Sequence, residues 1–450
     1  MVTTRRPRTD PKAHVLGVWA NGMRVGTWSA HDGTHELQYD DSWTKSPAGR
    51  RLSRSLPFTP DNVPHRGEVV RNYFDNLLPD SDALRRRIAE RFGASNTTFD
   101  LLAAIGRDCV GAVQLLPPDA TPAGFDQIES RPLNDAAVEH AINAAIYGTR
   151  ADMNEEEADF RISIAGAQEK TALLHYEGKW RLPLGTTPTT HIIKLPIGLI
   201  WAIRADMTTS VENEWLCGKI MSELGFEMAA SDIATFGERT VLVVERFDRQ
   251  LQAPPGKPEW IARLPQEDFC QALGVPVDRK YENEGGPGIR DILRILQTST
   301  RAEHDTLTFA LSQLAFWLLA ATDGHAKNFS IFHERGGGYH MTPLYDVISM
   351  WPIIGEAPNQ ISMRRAKLSM ALRGKSKHYV LNDIHVRHWQ ALAAQTGAPD
   401  AFDRMVALVM MAPDALDRVE AMLPAHFPKA VFTAIRRGVQ AQATRFVQEL

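Results

Sequence analysis

Asn328 follows Asp323 by five positions in Thr322-Asp323-Gly324-His325-Ala326-Lys327-Asn328, and a second carboxylate comes in Leu344-Tyr345-Asp346. Phosphoryl transfer asks for little more: a base for the acceptor hydroxyl, an amide oxygen for Mg2+, and a carboxylate bridging metal to phosphates. Taken singly, Asp323 reads as a turn cap, Asn328 as an Asx turn and Asp346 as a solvated loop residue. Together, around one glycine turn and after an apolar helix, they favour chemistry. His325, His333 and His340 could instead crowd an ion with the two acids, as in a metal hydrolase. The sequence has no His-Glu-x-x-His or Cys-x-x-Cys spacing to support that reading.

These residues need rigid carriers. Leu307, Ala310, Leu311, Leu314, Trp317, Leu318 and Ala321 recur at steps of three and four, which predicts a buried helix that delivers Asp323 at its C-terminal exit. Phe329 and Ile331, then Tyr339, Met341 and Leu344, flank Glu334-Arg335-Gly336-Gly337-Gly338, the pattern of a hairpin whose turn glycine takes cheaply. One ribbon would thus carry both catalytic groups.

Upstream, strands are predicted at 161–164, 171–176 and 191–195, the first two around the loop Ala165-Gly166-Ala167-Gln168-Glu169-Lys170. Taken alone this loop reads as a plain hairpin, since it matches neither the Walker pattern nor G-x-G-x-x-G, yet its small residues leave room for backbone amides to approach phosphates. Lys194 follows on a strand; buried, it requires an anionic partner such as phosphate plus a carboxylate. A helix with Glu212 and Glu214 comes next, then Val241-Leu242-Val243-Val244-Glu245-Arg246-Phe247-Asp248-Arg249. The helical register does not decide which glutamate pairs with Lys194; Glu212 continues the Leu216, Ile220, Leu224 row, which inclines the choice to it. Glycine loop, strand lysine, helix glutamate and hinge stand in the order found in protein kinases, whose catalytic Asp and Asn share the spacing of Asp323 and Asn328.

With 450 residues, 44% of them hydrophobic and 23% charged, the chain can bury two or three cores. Its net charge of -4 argues against a globally basic nucleic-acid binder and leaves room for a local patch. Cys109, Cys217 and Cys270 are odd in number and far apart, so core thiols in a reducing cytoplasm are expected rather than disulfides or zinc. No stretch reaches the length of a membrane helix, and 1–14 reads as a frayed tail.

Val15–Ala20 and Met23 to Trp28 are predicted strands joined by Asn21-Gly22, with a third at 35–39. Helices are predicted at 81–92 and 97–105, followed by a glycine-bracketed strand over 106–113. The acidic stretch 152–159 reads as a solvated connector. Helical periodicity dominates from 264 onward, through 267–273, 289–297 and 305–321 to helices after Asp400. The basic run of Arg364, Arg365, Lys367, Arg373, Lys375, Lys377 and His378 reads as a solvated loop, with a DNA or acidic-partner contact as the minority reading. Three units are expected: a β-rich module over 1–150, a lobe with phosphate loop and hinge over 151–260, and a helical lobe over 261–450.

Ile164 to Leu174, Glu212-Asn213-Glu214, Glu245 to Arg249 and Ala320 to Asn328, with Leu77-Leu78-Pro79 and Gly285-Gly286-Pro287-Gly288, closely resemble HipA-type toxin kinases over nearly the whole chain. The resemblance implies an α+β, protein-kinase-like two-lobed fold with a β-rich amino-terminal part and an all-helical carboxy-terminal lobe. It implies a cytoplasmic serine/threonine kinase of a type II toxin–antitoxin system that uses ATP and Mg2+. By matching position, Asp323 is the base, Asn328 and Asp346 hold Mg2+, Gly166, Ala167 and Gln168 form the phosphate loop, and Lys170 and Lys194 contact phosphates. His325 lies beside the nucleotide, and the backbone of Glu245, Arg246 and Phe247 forms the adenine hinge.

Family members also phosphorylate a serine of their own at the position of Ser163, which switches them off. They modify aminoacyl-tRNA synthetases, stall translation, induce dormancy, and bind a helix-turn-helix antitoxin that represses their operon on DNA. The chain lacks the His-Arg-Asp, Asp-Phe-Gly and Ala-Pro-Glu signatures of standard protein kinases. The contrasting expectation is a non-catalytic corepressor that acts only through the antitoxin.

Overall fold

The computed structural model describes residues 14–147, 163–200 without 167, and 205–450 without 358. Residues 1–13 of the tail expected over 1–14, the acidic connector 152–159, Arg161 and Ile162 of the predicted strand, and Ala167 lie outside them.

The amino-terminal sheet has the order β4-β3-β2-β1-β5, with β1 Val15–Ala20, β2 Met23–His31, β3 Thr34–Tyr39, β4 His65–Arg66 and β5 Gln114–Leu116. Asn21 and Gly22 both take left-handed φ, 46° and 79°, the pair of conformations that a tight two-residue hairpin demands. Helices α1 Asp41–Thr44, α2 Glu68–Asp75, α3 Asp82–Phe92 and α4 Thr98–Ile105 accompany it. Ser81 and Thr97 accept hydrogen bonds from the first turns of α3 and α4, which fixes both starts. Trp28 is fully buried and stacks on Phe74 at 3.9 Å between ring centroids.

The expected strand over 106–113 is instead a turn, with Gly111 at φ 73°. Its polar groups are taken elsewhere: Asp108 and the Cys109 carbonyl accept from Arg246, Arg249 and Arg263.

A second sheet, order β12-β13-β9-β7-β8-β6, uses β6 Ser130–Pro132, β7 Lys170–Tyr176, β8 Lys179–Pro183, β9 His191–Lys194, β12 Ser231–Phe236 and β13 Arg239–Glu245. Helices α5 Asp135–Tyr147 and α6 Ser210–Glu223 pack on it. Two short antiparallel pairs, β10 Gly198–Ile200 with β11 Ala205–Met207 and β14 Arg249–Gln252 with β15 Trp260–Arg263, lie outside it. Ser163 and Ile164 are buried without forming a strand.

The carboxy-terminal part is helical: α7 Phe269–Leu273, α8 Ile289–Leu296, α9 Ala302–Leu319, α10 Val386–Thr396, α11 Ala401–Glu420 and α12 Lys429–Gln448. It also holds a three-stranded sheet, β16 Gln266–Asp268, β17 Ser330–His333 and β18 Tyr339–Met341, and a hairpin of β19 Lys367–Arg373 and β20 Lys377–Val380. Glu267 is therefore in a strand rather than at a helix start. Asp268 and Gln271 form a reciprocal capping box that starts the helix at Phe269. The basic run expected as a loop is largely the β19–β20 hairpin. Helix α9 runs through the core, with Phe309, Leu314, Trp317 and Leu318 buried, and ends where Ala320 turns left-handed at φ 47°. Among the described residues no helix is long and apolar enough to cross a membrane.

Candidate active site

The exit of α9 passes straight into the turn bearing Asp323. Asn328 closes that turn: its backbone N–H donates to the His325 carbonyl at 2.9 Å, and its side-chain Nδ2 donates to the Asp323 carbonyl at 2.8 Å. With the amide nitrogen committed, the amide oxygen is left for a ligand. The β17–β18 ribbon then pairs Ile331 with Met341 and His333 with Tyr339, its turn made by Gly336 and Gly337 at positive φ. Beyond it, Leu344 exchanges backbone bonds with Glu227 and Ala229, which draws the chain under the second sheet. Asp346 follows at φ 61°, a left-handed conformation that a non-glycine residue holds only when its surroundings impose it.

Lys170 and Lys194 are direct cross-strand partners on β7 and β9. Like charges in that position repel, so the pairing persists only because acids stand beside it. Lys194 Nζ lies 2.6 Å from Glu214 Oε1 and 2.8 Å from Asp346 Oδ1. Burial opposes the charged form of Asp346, but Lys194 and then Lys170 outweigh it and hold the carboxyl well below the usual range. Burial likewise opposes Lys194's charge, and Asp346 and Glu214 overcome it. The helix partner of Lys194 is thus Glu214, not Glu212. Helix α6 is covered on most sides, burying Val211, Asn213, Glu214, Trp215, Leu216 and Cys217 in succession, so no single apolar row identifies the inward face.

Lys170 differs. Among the described residues its Nζ has no hydrogen-bond acceptor, and burial, followed by the charge of Lys194, lowers its pKa to about 8. A Cβ on Gly166 would sit 2.4 Å from that Nζ; with φ at 109°, the position suits glycine alone. The Gly166 N–H reaches Asp80 Oδ1 at 3.3 Å, and the Asp80 N–H returns a bond to the Gly166 carbonyl at 3.1 Å. Gln168 Nε2 donates to the Leu195 carbonyl. Ser163 is fully buried, its hydroxyl donating to the Leu77 carbonyl at 2.7 Å.

At the expected hinge, the N–H groups of Glu245 and Arg246 donate to the carbonyls of Ala230 and Thr190 at 2.8 and 2.9 Å. Among the described residues the N–H of Phe247 has no acceptor, which leaves it as the uncommitted amide of this segment. The Arg246 guanidinium turns away into the buried cluster with Asp108 and Asp248.

One cleft of about 330 Å³ brings Asp323, His325, Asn328 and Asp346 together with Gly166, Gln168, Lys170, Lys194 and the hinge, while the buried Ser163 lies outside its lining. That volume falls in the range of small-molecule sites. The three histidines do not converge: His333 contacts Glu267 at 2.9 Å, His340 contacts Glu334 at 2.5 Å, and only His325 faces the cleft. Among the described residues no three metal-ligating side chains gather, so the hydrolase reading falls. Sequence reasoning missed Asp80, which receives Lys280 at 2.6 Å, and Tyr281, whose hydroxyl meets Asp323. Their signals were the adjacent Leu77-Leu78-Pro79 and Gly285-Gly286-Pro287-Gly288. Lys327 is structural, buried against Asp268 at 2.9 Å and Asn76.

Residues 162–418 match the HipA-like C-terminal domain and residues 16–116 the HipA N-terminal domain. The chain belongs to the HipA family of serine/threonine kinase toxins. A Sinorhizobium fredii relative named "Putative kinase Y4mE" is 32% identical, over 85% of this chain and 86% of its own length. The Shewanella oneidensis serine/threonine-protein kinase toxin HipA is 29% identical, over 75% of this chain and 76% of its own. A solved complex of Shewanella oneidensis HipA, HipB and operator DNA contains a chain that shares the HipA fold with a TM-score of 0.77 at 24% identity, covering 96% of this chain and 97% of that one.

Proposed function

We propose that this HipA-family chain transfers the γ-phosphate of ATP to a serine or threonine hydroxyl of a protein. The observation that carries the reading is the convergence of Asp323, Asn328, Asp346, Lys170 and Lys194 on one cleft. Asp323 is 63% exposed in its side chain and accepts the hydroxyl proton as oxygen attacks phosphorus. Lys170, an ammonium without an acceptor among the described residues, takes the triphosphate together with Lys194 and the Gly166–Gln168 loop, and the Phe247 amide reads the base.

The donor set fits Mg2+: one ionised carboxylate, Asp346, and one free amide oxygen, Asn328, suit an ion completed by phosphate oxygens and water. When bound, the ion neutralises charge on the phosphates. His325 keeps a lowered pKa, through burial, and stays neutral beside the nucleotide.

Ser163 serves as the self-phosphorylation site. Its hydroxyl must leave the Leu77 carbonyl to react, and a phosphate cannot return to so closed a seat, so modification opens the loop and opposes ATP binding. By likeness to the relatives named above, we infer a helix-turn-helix antitoxin partner and, through it, operator DNA. An aminoacyl-tRNA synthetase is the inferred protein substrate, its modification inhibiting translation and promoting dormancy in the cytoplasm. Arg373 and Lys377 are engaged by Glu282, which weakens a direct role for the basic run on DNA.

The deciding experiment replaces the base. Asp323→Asn should abolish transfer from γ-labelled ATP while calorimetry finds ATP affinity within a few-fold of wild type. Full activity in that variant rejects the assignment. Mass spectrometry after incubation with ATP should find phosphate on Ser163.

A further inference from the structure

The loop from Lys280 to Gly288 is built to hold a shape. The buried carboxylate of Glu282 accepts the Ala371 N–H at 2.7 Å and lies 3.2 Å from Arg373 and 3.0 Å from Lys377, which ties the loop to the β19–β20 hairpin. A Cβ on Gly286 would fall 2.0 Å from the Arg279 carbonyl oxygen, and one on Gly288 would fall 2.5 Å from the Glu282 carboxyl carbon. The loop therefore folds tightly on its own backbone and on that anchor. The Ala326 N–H of the catalytic turn reaches back to the Lys280 carbonyl at 3.4 Å.

This loop presents one side chain to Asp323. The Tyr281 hydroxyl donates to Asp323 Oδ1 at 2.7 Å. The ring stands edge-on to His325, centroids 5.0 Å apart and planes at 82°, and Lys280 Nζ lies 5.4 Å over its face while reaching Asp80. Burial, and then the charge of Asp323, raise the phenol's pKa, so it remains a donor throughout the working range. Without such a donor an exposed carboxylate on a turn samples several rotamers. Asp323 has two oxygens, and Oδ2 makes only a 3.9 Å approach to His325.

We propose that Tyr281 is a positioning residue for Asp323, its hydroxyl clamping one carboxylate oxygen so that the other faces the acceptor hydroxyl. The rigid setting of the loop argues for a fixed clamp rather than a plug that must leave. This role rests on Asp323 being the base and names a residue that orients it. The basic hairpin acquires a function here as well: through Glu282 it holds the loop that holds the clamp.

The test compares wild type and Tyr281→Phe, which keeps the ring and removes the oxygen, by following γ-phosphate release and transfer from ATP with casein as acceptor. The expected result is a fall in kcat of about ten- to a hundred-fold, the cost of a misoriented catalytic group, with KM for ATP within two-fold and an unchanged Tm. A Tyr281→Phe variant with wild-type kcat overturns the clamp, and so does one whose Tm drops and whose KM rises in step with the lost kcat. The kinase reading fails separately, if wild type itself turns over no ATP or if Asp323→Asn keeps wild-type turnover.

Discussion

Glu214 and Lys194 sit on a helix and a strand that must stay in register for the nucleotide to meet a charged lysine. Glu214→Gln leaves Lys194 with Asp346 alone and should lower ATP affinity by about ten-fold or more, since breaking a buried pair leaves charge uncompensated. Glu212→Gln should remain within two-fold of wild type; calorimetric titration with ATP separates the two, and equal losses would contradict the assigned pair. Lys170 carries a second prediction. Its folded pKa of about 8 lies below the ordinary lysine value of 10.5, so between those values the folded state binds fewer protons than the unfolded one. Stability from this group therefore rises with pH over that window, while affinity for ATP falls as the ammonium is lost. Titrations from pH 7 to 10 should show that decline and a flatter profile for Lys170→Met. Which residues meet was legible from spacing, and for Lys194 from the order of the elements around it: Asp323, Asn328, Asp346 and Lys194 all line one cleft. The choice between Glu212 and Glu214 was not, because side chains four apart drift round a helix buried on nearly all sides.

Elements were readable where local chemistry decides them. The Asn21-Gly22 hairpin, the glycine turn of the catalytic ribbon, the capped starts of α3 and α4 and the apolar run of α9 each carry their own signal within a few residues. The failures share a cause, which is polar groups committed to distant partners. The 106–113 segment has strand-like composition, yet Asp108 and Cys109 serve arginines more than a hundred residues away. Glu267 reads as a helix start, yet it is buried in β16 and accepts the Arg54 N–H at 2.8 Å while contacting His333. In the loop before α8, Gly285 turns the chain at φ 93° while Gly286 and Gly288 serve close packing, and no local rule separates the two uses. Gly286→Ala tests that reading, because the added methyl meets fixed backbone oxygens. We expect about 1–3 kcal/mol of lost stability in urea unfolding, with kcat falling alongside as Tyr281 shifts. A variant with wild-type stability and kcat would mean the loop yields freely.

At the scale of the molecule, the amino-terminal module is a structural part of the cleft proposed to bind ATP rather than an appendage. Its Leu77 carbonyl seats Ser163, its Asp80 bonds Gly166 and Lys280, and its Asp108 carbonyl accepts the Ser163 N–H at 3.0 Å. Asp108 also meets Arg246, Arg249 and Arg263 in a cluster closed by Asp248. Burial works against its charge, but Arg249, Arg246 and Arg263 outweigh it and keep the carboxyl well below the usual range. Three guanidiniums against two carboxylates leave no acid to spare, so Asp108→Asn should destabilise the protein by about 3–5 kcal/mol. Because the folded pKa is depressed, this stability is present above the unfolded carboxyl pKa, near 4, and disappears as pH falls through the folded value. Wild type and Asp108→Asn should therefore differ most at neutral pH and converge in acid. The same substitution should weaken ATP binding without touching the cleft, since the anchor of the phosphate loop loosens with the module. Urea unfolding between pH 3 and 7, paired with ATP titration at pH 7, measures both. A variant that loses stability but keeps full ATP affinity would show that module and loop are coupled by packing alone.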